Sequence, residues 1–555
     1  METEQKKFYT ACADGRSDVV QHFLADDRVN PADCHNEALL RACHNGHTDV
    51  VRVLLTDHRV NPADRNNAAI RGACRNGHAD VVRLLLADGR VDPADRDNGA
   101  VRRACENGHI DVVRLLLTDH RVDPADYRNE AIRDACANGH DGVVRLLLTD
   151  PRVNPADYHN MAVHEACANG HDGVVRLLLT DPRVNPMVVM EWACAKGHTD
   201  TVGLLLTDSR VNPADDNNIA MRRACENGHV DVVRLLLTDY RVDPADNENE
   251  VIRVACTNGH TDVVQLLLAD SRVDPSNKNN QAIQLACQNG HINVVRLLMS
   301  HPRVNPSDKN NEAIRRACMR GRTDVVHLLL TDSRVNPADY NNYAIRSACG
   351  NGHVDVVSLL LADPRVDPSA EKNEAVRWAC ANGLVNVVRL LLTDYRVDPS
   401  DKDNEAIRRT CSRGHTDVVR LLLVDGRVNP ATNDNEPVRL ACANGHTNVV
   451  RLLLADRRVN PADMHNEAVK FACANGHVDV VRLLLVDERV NPAENNNEAM
   501  RRACASGQIN VVRLLLADKR VDPADNHNEA LRSASWSGYT DVVQLLLTDS
   551  RVASC

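Results

Sequence analysis

Seventeen cysteines recur at one spacing along this 555-residue chain, from Cys12, Cys43, Cys74 and Cys105 to Cys504, and only Cys34 and Cys555 stand outside the series. Thiols placed so regularly could form disulfides or bind metal. Spacing argues against both. Copies of one position in neighbouring packed helices sit roughly 8–10 Å apart, whereas a disulfide needs Cα atoms within about 7 Å and metal-bound sulfurs lie closer still. The series therefore reads as small buried hydrophobes. A histidine follows a recurring glycine, as in Asn107-Gly108-His109, and could serve as a base; the same place holds Arg16, Arg322, Leu384, Gln508 and Tyr539 elsewhere, which points to a packing and turn role. Arginines also recur, Arg28, Arg59, Arg90 and Arg121 through to Arg551. An aspartate stands two residues before each of them, except where His301 replaces it. Charge so nearly cancelled reads as a structural ladder rather than a phosphate-binding track.

No nucleophile, base and orienting acid recur together, and neither a G-x-G-x-x-G run nor a P-loop is present. The reading is therefore no enzyme, no cofactor and no metal.

These residues are positioned by a repeat. Counting from the glycine, the units begin at Gly15, Gly46 and Gly77 and run to Gly538, eighteen in all. Every interval is 31 residues except Gly170 to Gly197, which is 27. Such a period over the whole length predicts an all-α solenoid of 18 stacked helix-turn-helix repeats and leaves no room for a separate catalytic domain. The expected organisation is an N-terminal cap over 1–28, repeats two to six over 29–183, a shortened seventh repeat over 184–210 with a kink, repeats eight to seventeen over 211–520, and a C-terminal cap over 521–555.

One unit, Asn98 to Asp126, carries the logic. Asn98 is expected to cap the first helix. Ala100, Val101, Ala104 and Cys105 form its apolar face, and Gly108 ends it in the left-handed region. The second helix carries Val112, Val113, Leu115, Leu116 and Leu117, too many for one face, as suits a helix between two neighbours. Pro124 then fixes a turn with Val122 tucked inward.

The net charge of −11 disfavours a general grip on nucleic acid or anionic lipid. No apolar run is long enough to span a membrane, and the start METEQKKFYT lacks a secretory core. A soluble, cytoplasmic monomer is expected. Glu2, Glu4, Gln5, Lys6 and Lys7 give the first unit a polar outer side. The last unit reads as a thinner cap, and Leu546, Leu547 and Val552 are expected to stay partly open.

The segment Gly108-His-Ile-Asp-Val-Val-Arg-Leu-Leu-Leu117 resembles the turn and outer helix of ankyrin repeats, and the likeness covers essentially the whole chain. Departures are an E-A-I-R opening, as at Glu130 to Arg133, where that family usually has T-P-L-H, and a period of 31 rather than about 33. The missing residues come from the connecting hairpin, so short turns are expected. The variant is similar to the expanded arrays of amoeboid protists and large DNA viruses. What the resemblance implies is a curved superhelix whose first helices and turn tips line a concave groove, a partner that is a protein, and no catalytic constellation.

Framework positions stay constant between units, so specialised surface is what changes. Two residues before the framework cysteine stand Arg41, Gly72, Arg103, Asp134, Glu165, Trp192, Val254, Leu285, Trp378, Leu440 and Phe471 among others. Trp192, Val254, Leu285, Trp378, Leu440 and Phe471 are candidate partner anchors. Tyr127 and Tyr158 at the turn tips join them. So do Met187 and Val188 in the seventh repeat, which has lost four residues and the capping asparagine; it reads either as a binding hot spot or as a defect dividing the array. Arg71, Arg102, Arg133, Arg222 and Arg253 recur in the first helices and could line a basic face. The leading reading is a protein-binding scaffold. Nucleic-acid or phosphoinositide binding through that arginine face is the alternative, and a mechanical spacer the third.

Overall fold

A computed structural model describes residues 4–553; Glu2 and Cys555, singled out above, lie outside the described residues. Helices pair in order from Glu4–Ala13 with Ser17–Leu24 to Asp525–Trp536 with Thr540–Leu547, eighteen pairs followed by a short helix, Ser550–Ala553. No strand occurs among the described residues. Two compact units divide the chain, Met1–Asp274 and Pro275–Cys555. The division does not fall at the seventh repeat. Within each unit first helices pack on first helices, and second helices on second helices.

The fourth repeat illustrates the core. Ala100, Val101, Ala104 and Cys105 of the first helix, Asp95–Glu106, are buried with Val112, Val113 and Leu116 of the second, Ile110–Leu116, and with Val122. Leu115 and Leu117 are half-buried. Small residues on the first helix allow the close approach. Every described framework cysteine is buried and reduced, and burial pushes the thiols upward, Cys12 to about 12. They are inert at neutral pH.

Gly77 shows why the turn needs glycine. Its φ is +79°, and a Cβ there would lie 2.6 Å from Nδ1 of His109 in the following repeat. That imidazole in turn bonds through Nε2 to the carbonyl of Arg75 at 2.9 Å. The recurring histidine is thus a peg between consecutive turns.

The asparagine is not a helix cap, and here the structure corrects the sequence reading. Arg96, Asp97 and Asn98 all lie in the left-handed region, with φ of 55°, 54° and 56°. Asn98 therefore turns its side chain away from its own helix and toward the next repeat: Oδ1 accepts from the backbone N–H of Asp123 at 2.8 Å and Nδ2 donates to Asp126 at 2.7 Å. Sixteen such left-handed triplets are present among the described residues, absent only from the first and seventh repeats. In the first repeat Gln5 takes over, exchanging two 2.9 Å hydrogen bonds with the backbone of Asn30, while Tyr9 donates to Asp33. Gln5 is thus part of a joint rather than of the polar outer side.

The outer ladder is confirmed and extended. Arg121 bonds Asp119 of its own turn at 3.0 and 2.6 Å, and its third nitrogen reaches back to the Val91 carbonyl at 2.8 Å. The Arg59 guanidinium holds the Asp57 carboxyl below the usual carboxylate range. At the C-terminus the same device, Arg551 on Asp549 and on the carbonyls of Leu516 and Val521, brings the short last helix down. Leu546 and Val552 are buried as a result, and only Leu547 stays open. The expectation that all three remain open fails for that reason.

Candidate partner-binding strip

Arginine also governs the first helices. In the thirteenth repeat Arg377 donates through Nε to the Lys372 carbonyl at 2.8 Å and through Nη2 to the Glu371 carbonyl at 3.0 Å, both in the left-handed turn of its own repeat. Its remaining nitrogen pairs with Glu405 of the next repeat at 2.5 Å, in a nearly buried ion pair. Arg408 with Glu436, Arg501 with Glu529 and Arg439 with Glu467 repeat the pattern, and Arg346 pairs with Glu374 while capping the Asn341 carbonyl. One fork thus satisfies strained carbonyls that point away from any helix and links two repeats. These arginines do not form the free basic face that their number suggested. Arg71 departs from the pattern: Gly99 stands where the acid would be, and one buried guanidinium nitrogen of Arg71 has no hydrogen-bond partner.

Beside this ladder runs the strip two residues before the framework cysteine. Trp192, Val254, Leu285, Trp378, Leu440 and Phe471 are all half-buried. Trp192 packs edge-on against His164, centroids 3.6 Å apart, with the Lys196 ammonium 5.3 Å from its ring. The Trp378 ring covers Gly350 of the preceding repeat, where an added Cβ would stand 3.0 Å from it, and the Arg346 guanidinium lies 5.9 Å from the ring. Phe471 lies 5.9 Å from Arg502. At the turn tips Tyr127 is 60% and Tyr158 41% exposed, each with an arginine stacked on it, Arg102 and Arg128 among them.

Carboxylates share the strip in the fifth and sixth repeats. Burial, helped by Glu130 and Glu106 and opposed by Arg102 and Arg133, raises Asp134 to about 6. Burial likewise raises Glu165.

In the seventh repeat Asn185 acts as a true cap, its Oδ1 accepting from the Met187 N–H at 3.0 Å, and Pro186 starts the helix. Val189 and Met190 are buried, Met187 is half-buried, and Val188 is exposed. Val188 occupies the place that an acid holds at most joints, Asn277, Ala370 and Thr432 being the other exceptions. Here too His198 stands off, its Cε1 3.6 Å from a Cβ on Gly170, and its buried Nε2 has no hydrogen-bond partner. The joint keeps two regular bonds, from the Asn185 N–H to Asn160 Oδ1 at 3.0 Å and from Arg210 to the Leu179 carbonyl at 2.8 Å.

Sequence profiles of the family described as ankyrin repeats (3 copies) match residues 8–97, 101–188, 163–248, 252–342, 314–403, 378–467, 407–496 and 469–554. The chain belongs to the ankyrin-repeat family. No curated protein matches this ankyrin array. The described part of the array contains no group of three or more His, Cys, Asp or Glu able to hold a metal ion, and no helix long and apolar enough to cross a membrane.

Two tyrosines passed over in the sequence reading complete the picture of this ankyrin strip. Tyr340 is 60% exposed at a turn tip, and Tyr343 lies 5.9 Å from it, edge to face. Arg346 joins this pair to Trp378, 5.6 Å from the Tyr343 ring. The signal was available: Tyr343 breaks the E-A-I-R run at the glutamate. Tyr127, Tyr158 and Trp192 belong to the other unit, Met1–Asp274.

Proposed function

We propose that the chain is a non-catalytic scaffold that binds a partner protein along the strip two residues before the framework cysteine, which in ankyrin geometry faces the concave groove. One observation carries this reading. The constant residues, cysteine, asparagine, histidine and both arginines, are consumed in the core and the joints, whereas the strip residues change from repeat to repeat and, apart from the buried Ser347, keep part of their surface in water. Half-buried Trp, Phe and Leu side chains held by neighbours are the kind of anchors interfaces use. Pairing of the first-helix arginines with carbonyls and glutamates weighs against a phosphate-binding face. We place the protein in the cytoplasm as a monomer, within the 31-residue type of array described above.

The test is quantitative affinity capture at physiological salt, with the intact chain beside a variant carrying Trp192→Ala, Trp378→Ala and Phe471→Ala whose circular dichroism matches. A protein retained by the intact chain and lost by the variant supports the reading. Nucleic acid retained equally by both overturns it in favour of the arginine face, and nothing specific on either leaves a spacer.

A further inference from the structure

The joint between the eleventh and twelfth repeats, in unit Pro275–Cys555, departs from the regular pattern. A cavity of about 510 Å³ opens there on the first-helix side, with Met319, Tyr340 and Tyr343 as its apolar wall. That volume lies within the range of side-chain and small-ligand sites. Its origin is a substitution. Tyr343 stands where most repeats place the glutamate that receives the arginine of the preceding repeat, so Arg315 has no carboxylate ahead of it. Arg315 keeps its caps on the carbonyls of Asn310 and Lys309, at 2.9 Å each, and stacks on both rings, 4.8 Å from Tyr340 and 5.7 Å from Tyr343. The rings are thereby held in place before any ligand arrives.

The same substitution leaves positive charge over. Glu312 alone serves two guanidinium groups, Arg316 at 2.7 Å and Arg315 at 3.2 Å. Gln288, which faces it from the tenth repeat, contributes only an amide oxygen, 3.0 Å from Arg316. From Asp308 to Arg322 the repeat carries five basic residues, Lys309, Arg315, Arg316, Arg320 and Arg322, against two acids; the next most basic such stretch, Asp64–His78, has three against one. Arg320 and Arg322 are exposed on the turn that follows Met319.

We propose that this pocket docks a linear segment of a partner protein in which one large apolar side chain enters between Met319 and the tyrosines and flanking carboxylates meet Arg316, Arg320 and Arg322. The proposal rests on the scaffold reading and names its partner's chemistry. An apolar wall with preset aromatic rings asks for a hydrophobic anchor, and surplus guanidinium at the rim asks for acids beside it. Single-stranded nucleic acid fits less well. Arg315 already occupies faces of the two rings on which a base would stack, and the Glu312 carboxylate lines the same pocket, where it repels phosphate.

The experiment measures fluorescence anisotropy of short labelled peptides on the full chain. One set has Leu, Met or Phe at the centre with aspartates on both sides; control sets have serine flanks or a central alanine. The variants are Tyr343→Glu, which restores the residue other repeats carry and returns a carboxylate to Arg315, and Met319→Ala, which matches Ala381 and Ala443 at the same position. Both preserve the fold, as checked by circular dichroism. Expected are saturable binding of the acid-flanked anchors and a loss of about tenfold or more on removing the acids, the anchor or either pocket residue. Equal affinity in the intact chain and Tyr343→Glu overturns the proposal, as does absence of binding by every acid-flanked peptide. If a labelled oligothymidylate binds instead and loses affinity in Tyr343→Glu, the pocket is a nucleic-acid site. A partner protein lost by the Trp192, Trp378 and Phe471 variant while the peptides fail to bind removes this proposal and leaves the scaffold reading standing.

Discussion

Asn311 reaches Asp339, the acidic residue one repeat further on, with its side-chain amide 2.6 Å from the carboxylate. Its carbonyl oxygen accepts from the Asn336 backbone at 2.8 Å, so one side chain fastens two points of the neighbouring turn. The residue does this from φ +57°, a conformation that few residues other than glycine and asparagine adopt readily.

Asn311→Ala removes both bonds, leaves the Asn336 N–H without its acceptor and puts alanine in the left-handed region. The expected cost is about 2–4 kcal/mol. Asn311→Gly recovers the backbone part but not the bonds. Urea unfolding followed by circular dichroism ranks the three chains; an alanine variant as stable as the parent refutes the joint.

Gly77→Ala forces a methyl group against His109. The single change is expected to destabilise by about 1–3 kcal/mol. Combined with His109→Ala, which opens the space and gives up one hydrogen bond, the loss is less than the sum of the two single changes by about 1 kcal/mol. Strict additivity would mean that the imidazole does not sit where it is described.

Arg71 calls for an acid that Gly99 cannot supply. Gly99→Glu is expected to stabilise the chain by about 1 kcal/mol, through a partly buried ion pair and the removal of a flexible glycine near the start of a helix. Its Cβ would stand 2.9 Å from Cδ of Arg71, a side chain that can shift, and in ordinary contact with Cβ of Arg96 at 3.6 Å. Gly99→Ala separates the two contributions; a glutamate variant no better than alanine removes the ion pair from the account.

Asp134 holds its proton to about pH 6 in the folded chain, whereas an unfolded aspartate holds it only to about pH 4. Protonation therefore favours folding. The advantage is complete below the unfolded value and is lost as pH rises through 6. Asp134→Asn mimics the neutral form, so it should be more stable than the parent by about 1–2 kcal/mol at pH 7.5 and equal to it near pH 4. A stability difference that does not change between those pH values contradicts the burial of this carboxyl.

Much of this fold was legible because the chain compares itself with itself. A strict 31-residue step separated framework from surface, placed the cysteines in the core and identified the histidine as a packing group. Legibility failed at the turns. Nothing in Tyr127-Arg128 or Glu371-Lys372 favours three left-handed residues in succession, so the asparagine that follows looked like a helix cap. What holds the triplet lies outside it, in an arginine a few residues on and an aspartate one repeat away. The first-helix arginines looked free for the same reason: their partner, the glutamate of E-A-I-R, is 28 residues ahead. At the strip the residue types pointed to anchors, but only coordinates bring Tyr340, Tyr343 and Trp378 together through Arg346.

The joints within each unit have a consequence for how such a chain can change length. Each regular repeat carries half of two fastenings: its asparagine and first-helix arginine reach forward, and its outer arginine and histidine reach back. A copy of 31 residues inserted anywhere in a regular stretch therefore brings every donor and acceptor its new neighbours require, and a deletion of the same length rejoins matching halves. The shortened repeat at Asn185 shows what happens when the step is broken, since the left-handed triplet is lost and His198 loses its bond. Growth and loss by whole repeats are structurally silent, whereas loss of four residues leaves a scar.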